Sequence, residues 1–277
     1  MATIARHTVL LLLLLDQTSP FFSKQVICSY PPPQGFVAEC IDLRNTVTLL
    51  HNLGEMLLFG ELEEDSDAEN MEGCDGVSQV DASGSMGGAR IVLATQAAYA
   101  LSAVLERLRI THEVICFTTG PIAGGDSSAV AAEEAKMGRS FTRDESLYMP
   151  ILKGFNERLS TETKSRFGWL PNSRILRNNV DGECVEIAAR RLLSQPQNGK
   201  ILMVLSDGSP NASGDTGRLS SHLKEVVKET MNKGVNVIGI GIQTDSVQKY
   251  YPKNVVIHKA EDLPQTVIKE LRNMLLN

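Results

Sequence analysis

The sequence predicts an α/β protein with an open, mostly parallel sheet and helices on both faces. From residue 76 onward, short apolar segments alternate with longer segments of helical periodicity. Two of the short segments, Lys200–Ser206 and Asn236–Ile242, hold uninterrupted apolar runs, which are typical of parallel strands covered on both faces. Asp207-Gly208, a turn signal, directly follows the first of these segments.

The first half of this region contains two strands and one helix. Val77–Val80 is predicted as the first strand, although Ser78 and Gln79 make it polar for a central position. Ile91–Leu108 carries apolar residues, many of them alanines, at helical spacing, which indicates close packing on a sheet. Glu113–Thr118 is predicted as the second strand.

The second half continues the same alternation. Its predicted helices are Glu183–Leu193, Arg218–Lys233 and Glu261–Leu276. Its predicted strands are Lys200–Ser206, Asn236–Ile242 and Asn254–Ile257. The glycines of Asn236–Ile242 predict a place where another part of the chain closely approaches the strand backbone.

Residues 120–177 form a long excursion between these halves. Gly120–Lys136 is polar and rich in small residues, Leu147–Leu159 has helical periodicity, and Trp169–Pro171 breaks the pattern. Such an excursion is either a lid or binding loop, or a surface insertion without a role. The residues do not decide between these two interpretations.

The N-terminal quarter has a different character. Val9–Leu15 is an apolar run of the length of a signal-peptide core, too short to span a bilayer, and a local helix is the alternative. Glu61–Glu69 is acidic and is predicted to be a solvated linker. We therefore expect an irregular segment with an acidic linker over residues 1–70 and a folded domain over residues 71–277.

Composition excludes several classes of function. The net charge of −6 and an aromatic content of 5% disfavour nucleic acid as a partner. Five cysteines without Cys-x-x-Cys spacing disfavour a zinc site and indicate reduced thiols in a cytosolic protein. The chain has no phosphate-binding Gly-x-x-x-x-Gly-Lys-Ser/Thr loop, and His112 and His258 are isolated, so nothing indicates an independent enzyme.

The chemistry concentrates in the stretch Val80–Met86. Asp81, Ser83 and Ser85 are hard oxygen donors at alternating positions after a strand, and such oxygens suit Mg²⁺. The alternative is that the stretch is a turn whose polar residues cap the next helix.

A second carboxylate favours the metal interpretation. Asp207 directly follows the strand Lys200–Ser206, as Asp81 follows the first strand. In an open α/β sheet, the carboxyl ends of parallel strands share one edge, and ligands bind there. We therefore expect both carboxylates at one rim. Two neutral hydroxyls among the donors would leave an ion able to accept a carboxylate from a partner protein.

The stretch Asp81–Ser85, together with Ser206–Gly208 downstream, resembles a von Willebrand factor type A domain, a Rossmann-like fold that carries a metal-ion-dependent adhesion site. The resemblance covers residues 76–277. Within this group, Asn179–Glu183, Lys200–Pro210 and Gly239–Ile242 resemble the C-terminal domain of cobaltochelatase CobT subunits.

The resemblance implies a non-catalytic subunit of a cytoplasmic hetero-oligomer. Its partners would be an AAA+ ATPase subunit and the large chelatase subunit, which together insert cobalt into a corrin ring with ATP hydrolysis. No nucleic acid or membrane is implied. The resemblance assigns Asp81, Ser83, Ser85 and Asp207 as Mg²⁺ ligands, directly or through water.

Two alternatives remain open from the sequence. Asp181 stands where adhesion sites usually have a threonine, so it is either a further ligand or the N-cap of the following helix. The apolar run Val9–Leu15 favours a second function, a secreted or surface adhesion module that uses the same metal site.

Overall fold

The structure is a computed structural model that describes residues 73–120, 146–171, 174–212 and 215–259, with the single positions 136 and 262. The strands in these ranges are β1 Cys74–Asp81, β2 Thr111–Thr119, β3 Leu147–Tyr148, β4 Ile151–Lys153, β5 Gly199–Ser206, β6 Asn236–Ile242 and β7 Asn254–Ile257. The helices are α1 Ala89–Arg107, α2 Thr161–Trp169, α3 Asp181–Leu193 and α4 Thr216–Asn232.

The strands form one sheet in the order β3-β2-β1-β5-β6-β7, with β4 also paired to β2. Strands β2, β1, β5, β6 and β7 are parallel, whereas β3 and β4 run antiparallel to β2. The predicted open, mostly parallel sheet is therefore confirmed. Because β1 lies between β2 and β5, its carboxyl end sits at the middle of the rim.

Alternating strand residues build a core on each face of the sheet. On one face, Val80 and Met203 pack with the alanine-rich side of α1. On the other face, Val77 and Val204 pack with α3 and α4. Both cores are fully buried, so the predicted helices on both faces are confirmed.

The polar residues in the middle of β1 serve the packing of α3. The Gln79 side chain faces α3, and its Nε2 donates to the carbonyl of Cys184 at 2.7 Å. At the start of the strand, the buried Asp75 Oδ2 accepts a hydrogen bond from Nζ of Lys200, a residue of β5, at 2.8 Å. Gln79 Nε2 and Asp75 Oδ2 therefore have partners above the sheet and across it, whereas the buried Ser78 Oγ, Gln79 Oε1 and Asp75 Oδ1 have no hydrogen-bond partner among the described residues.

The glycines of β6 allow the close approach that the sequence predicts. A Cβ on Gly239 would lie 2.5 Å from Cδ2 of Tyr251, whose ring is fully buried. A Cβ on Gly241 would meet the carbonyl oxygen of Thr244 at 2.2 Å. Only glycine leaves room for these neighbours on the strand.

The helical prediction for Leu147–Leu159 is wrong. This segment forms the short strands β3 and β4, which pair with the outer side of β2. Leu147, Met149 and Leu152 are buried, and Leu147 and Met149 alternate as strand residues do rather than sharing a helical face. Pro150 lies between the two strands and could not occupy a helix interior without removing a backbone hydrogen bond.

Several predictions lie outside the described residues. They concern Val9–Leu15, Glu61–Glu69, most of Gly120–Lys136 and nearly all of Glu261–Leu276. The division of the chain near residue 70 likewise remains a prediction. In the part of the chain that the structure describes, no helix combines the length and the apolar character needed to cross a membrane.

Candidate metal centre

The candidate centre lies where β1 and β5 end. Asp81 is the last residue of β1, and Asp207 follows the last residue of β5, its parallel neighbour. Residues 82–88, which we call the rim loop, leave β1 and include a 3₁₀ turn over Gly84–Met86. The predicted convergence of Asp81 and Asp207 on one rim is therefore observed.

Asp81 is buried, and each of its two carboxylate oxygens accepts a hydrogen bond. Its Oδ1 accepts from the backbone N–H of Ser83 at 2.8 Å, and its Oδ2 accepts from the hydroxyl of Ser206 at 2.7 Å. The pKa of Asp81 is raised to about 6, mainly because the group is buried. The nearby charge of Asp207 also raises this pKa, whereas the two hydrogen bonds lower it. A cation at this rim would relieve the cost of ionising the carboxyl group.

Ser83, Ser85 and Asp207 form a continuous chain of oxygens. The two serine hydroxyls lie 3.0 Å apart, and Ser85 Oγ donates to Asp207 Oδ1 at 2.9 Å. Ser83 is buried, whereas Ser85 is exposed. This series of hydrogen-bonded oxygens thus leads from the interior of the protein to the solvent.

Arg90 approaches the same carboxylate from the first turn of α1. Its Nη1 donates to Asp207 Oδ2 at 2.7 Å and to the backbone oxygen of Ser85 at 3.3 Å. Gly88 makes this possible, because its φ of 78° turns the rim loop into α1. Arg90 therefore forms an ion pair with Asp207.

Asp181 is the first residue of α3 and does not cap it. Val180 occupies the N-cap position, and no side chain makes a cap hydrogen bond, so the N-cap interpretation of Asp181 is wrong. Asp181 Oδ2 accepts from Asn179 Nδ2 at 2.7 Å, whereas the buried Oδ1 has no hydrogen-bond partner. Burial, and next the charge of Asp81, raise the pKa of Asp181 well above its usual value.

The segment before α3 ties Asp181 to the rim. Arg177 pairs through its backbone with Ala82 and Gly84 of the rim loop. Asn179 exchanges two backbone hydrogen bonds with Asn211 in the loop after β5, at 2.9 and 3.0 Å. The same backbone thus contacts both loops that carry the candidate ligands, which places Asp181 beside them.

The residues fit a hard divalent cation. Within the described ranges, no group of three or more His, Cys, Asp or Glu side chains could hold a metal ion by itself. Ligation here consequently requires the hydroxyls of Ser83 and Ser85 together with carboxylates, a donor set of oxygens that suits Mg²⁺. The unpartnered Oδ1 of Asp181 and the raised pKa values of Asp81 and Asp181 indicate two buried carboxyl groups whose ionised forms a cation would stabilise.

Three contributors to the centre were missed by the sequence analysis as site residues: Ser206, Asn179 and Arg90. The position of Ser206, directly before Asp207, was an available signal, because a strand-end hydroxyl can reach the neighbouring strand end. Asn179 likewise stands two residues before Asp181. Nothing in the sequence distinguishes Arg90 from other arginines at helix starts.

His112 lies away from the centre. His112 is buried between Ser102 Oγ at 2.7 Å and the carbonyl of Ile110 at 2.9 Å, at the opposite end of β2 from the rim. Cys74 and Cys116 form no disulfide in the described part of the chain, and the reduced state of the protein stays a prediction.

Comparison with known proteins gives one family and a set of similar folds. The family model for the VWA domain of the cobalamin biosynthesis protein CobT matches residues 62–277. The pilus adhesin SpaC from Lactobacillus rhamnosus GG, in its open conformation, is similar with a TM-score of 0.50 and 12% identity, over 73% of the present chain and 30% of the adhesin. The PilB minor pilin from Streptococcus sanguinis is similar with a TM-score of 0.48 and 13% identity, over 72% of the present chain and 60% of the pilin.

The likeness to these structures concerns the fold alone, because the identities are low. The chain spans less than one third of the length of SpaC and 60% of that of PilB.

Proposed function

Because this chain belongs to the family of CobT VWA domains, we propose that it is a non-catalytic subunit of a cobaltochelatase-type complex. In this role it binds Mg²⁺ at the rim and docks an AAA+ ATPase subunit. The complex inserts a substrate metal ion, which is not the Mg²⁺ of the rim, into a corrin-type tetrapyrrole with ATP hydrolysis. The proposal extends to a cytoplasmic hetero-oligomer that also contains the large chelatase subunit.

One observation supports the docking role above the others. Oxygens from two segments of chain separated by 122 positions meet in a direct hydrogen bond between Ser85 and Asp207. The outermost of them, on Ser85, faces solvent. A site with this arrangement suits attachment of a partner, because its inner residues are fixed while its outer edge stays accessible.

We assign the residues of the rim the following roles in metal binding. Asp81, Ser83, Ser85 and Asp207 would hold the cation, directly or through water, and Asp181 would add a further carboxylate from α3. Ser206 orients Asp81, and Asn179 orients Asp181. A bound Mg²⁺ would offer an open coordination position to a carboxylate of the partner.

Catalysis is assigned to the partners. The chain lacks a phosphate-binding loop of the Gly-x-x-x-x-Gly-Lys-Ser/Thr type, so the ATPase subunit is proposed to hydrolyse ATP. His112 contacts Ser102 at the opposite end of β2 and so cannot activate Ser85 as a nucleophile. At most, the chain is an accessory subunit of a cobalt chelatase.

The test is capture of partners from the cells that produce the protein. Tagged wild-type chain should retain an AAA+ ATPase in Mg²⁺ and release it in EDTA. Asp81→Ala should fail to retain it, whereas Asp245→Ala, which removes an exposed carboxylate after β6, should behave as wild type.

Two results would reject the chelatase assignment. The first is capture that EDTA does not change. The second is retention of extracellular or matrix proteins only, together with a cleaved N-terminus, which would favour the adhesion module.

A further inference from the structure

We propose that Arg90 is a specificity-determining residue of the rim, which allows a metal site that has three carboxyl groups in its surroundings to accept an acidic segment of a partner. The inference rests on the proposed function. It concerns a residue to which neither the adhesion motif nor the family match gives a role.

The charge of the site creates the need for such a residue. Asp81, Asp181 and Asp207 carry three negative charges when ionised, and a divalent cation cancels two of them. The remaining negative charge would repel the carboxylate that the partner is expected to offer. One further positive charge at the rim brings the loaded site to neutrality.

Arg90 is placed to supply this charge. Its guanidinium contacts Asp207 at 2.7 Å, and its side chain is 39% exposed while that of Asp207 is 3% exposed. The positive group therefore covers the outer side of the buried carboxylate and faces the solvent from which a partner arrives. Among the described residues, only Asp207 Oδ2 and the Ser85 carbonyl accept from it, both at Nη1.

The geometry of the guanidinium suits a carboxylate. Nε and Nη2 remain available beside the exposed Ser85, and an arginine fork can bind a carboxylate through two parallel hydrogen bonds. The N-terminus of α1 adds to the effect, because its first turn holds no acidic residue and no side chain caps it. The rim thus offers two adjacent positive features, the metal and Arg90, to a segment with two neighbouring carboxylates.

The same position makes Arg90 a competitor of the metal. It holds Asp207 Oδ2, and its charge repels a divalent cation. Removing the charge should strengthen Mg²⁺ binding by about tenfold, the effect of one unit charge on a divalent ion at about 6 Å in water. Binding of an acidic segment to the loaded protein should weaken at the same time. These opposite signs distinguish the proposed role from a structural one.

The experiment uses the full chain with Mg²⁺ and a fluorescent hexaglutamate peptide as probes. Calorimetry gives Mg²⁺ affinity, and fluorescence anisotropy in saturating Mg²⁺ gives peptide affinity. Arg90→Gln should bind Mg²⁺ more tightly and the peptide at least about fivefold more weakly. Arg90→Lys should retain part of the peptide affinity. Arg107→Gln, at the other end of α1, should match wild type in both.

Unchanged Mg²⁺ and peptide affinities in Arg90→Gln would overturn the inference, as would a parallel loss of both. Failure of the proposed function itself would look different. In that case Asp81→Ala would bind Mg²⁺ as well as wild type does, whatever the behaviour of Arg90.

Discussion

The hydroxyl of Ser85 donates to Asp207 Oδ1 at 2.9 Å, across 122 positions of sequence. This bond joins the rim loop to the end of β5, so two candidate ligands from distant parts of the sequence are in direct contact.

The first prediction concerns Ser85. Ser85→Ala removes one donor oxygen from an exposed position, so Mg²⁺ affinity measured by calorimetry should fall at least about tenfold. The free energy of unfolding without metal should fall by only about 0.5–1.5 kcal/mol, the net contribution of the one hydrogen bond that Ser85 donates to Asp207. The control is Ser221→Ala, which removes an exposed hydroxyl from α4. Equal affinity in both variants would exclude Ser85 as a ligand.

The second prediction concerns the effect of the buried Asp181 carboxyl group on the free energy of unfolding in the absence of metal. Its pKa is raised by burial and by Asp81, which means that ionisation of this group opposes folding at neutral pH. Asp181→Asn keeps the shape and the acceptor for Asn179, and should raise the free energy of unfolding in EDTA by about 1–2 kcal/mol.

The stabilisation by added Mg²⁺ should be smaller in Asp181→Asn than in wild type, because a carboxylate is lost. Urea unfolding with and without Mg²⁺ measures both effects. The exposed Asp245→Asn should change neither. Destabilisation of Asp181→Asn in EDTA would contradict the assignment of Asp181 as a buried charge without a counter-ion.

The third prediction is a pH dependence that comes from His112. Burial, and next the charge of Lys153, lower the pKa of His112 to about 4 from the usual 6.5. Between these values the unfolded chain binds a proton that the folded chain does not, so stability falls as pH is lowered. The loss from this residue should reach about 2 kcal/mol between pH 6.5 and pH 5.

The raised pKa of Asp81 acts in the opposite direction over the same range, so the comparison must be made with His112→Gln. Urea unfolding in EDTA should show a steeper decline for wild type than for this variant. Parallel pH profiles of the two proteins would show that His112 already carries its proton in the folded state.

The fourth prediction concerns the packing of Tyr251 on β6. Gly239→Ala would place a methyl group 2.5 Å from Cδ2 and 2.6 Å from Cγ of a ring that is fully buried. Overpacking of this kind should lower the free energy of unfolding by about 1–3 kcal/mol. Gly168→Ala in α2 meets nothing within 4 Å and should raise stability by about 0.5–1 kcal/mol. Equal effects would contradict the packing described here.

Much of the site could be predicted from sequence because it follows from topology. Asp81 and Asp207 each end a segment that has to be a parallel strand, and parallel strands end on one rim. The serines at alternating positions then belong to the same loop. None of this depends on side-chain rotamers.

The remaining features depend on three-dimensional detail that spacing does not contain. The pairing of Arg90 with Asp207 requires the turn at Gly88 and a particular direction of α1. The strands β3 and β4 have only two and three residues, too few for an alternating pattern to stand out in the sequence. The polar Gln79 is explained only by the carbonyl of Cys184 above it.

The most direct test of the account is an anomalous difference map from crystals grown with Mn²⁺ as the substitute for Mg²⁺. The account predicts one strong peak at the rim, about 2.0–2.3 Å from the hydroxyl oxygens of Ser83 and Ser85, with Asp207 as a direct ligand or linked through water. A map without a peak there, with Arg90 still the only cation on Asp207, would contradict it.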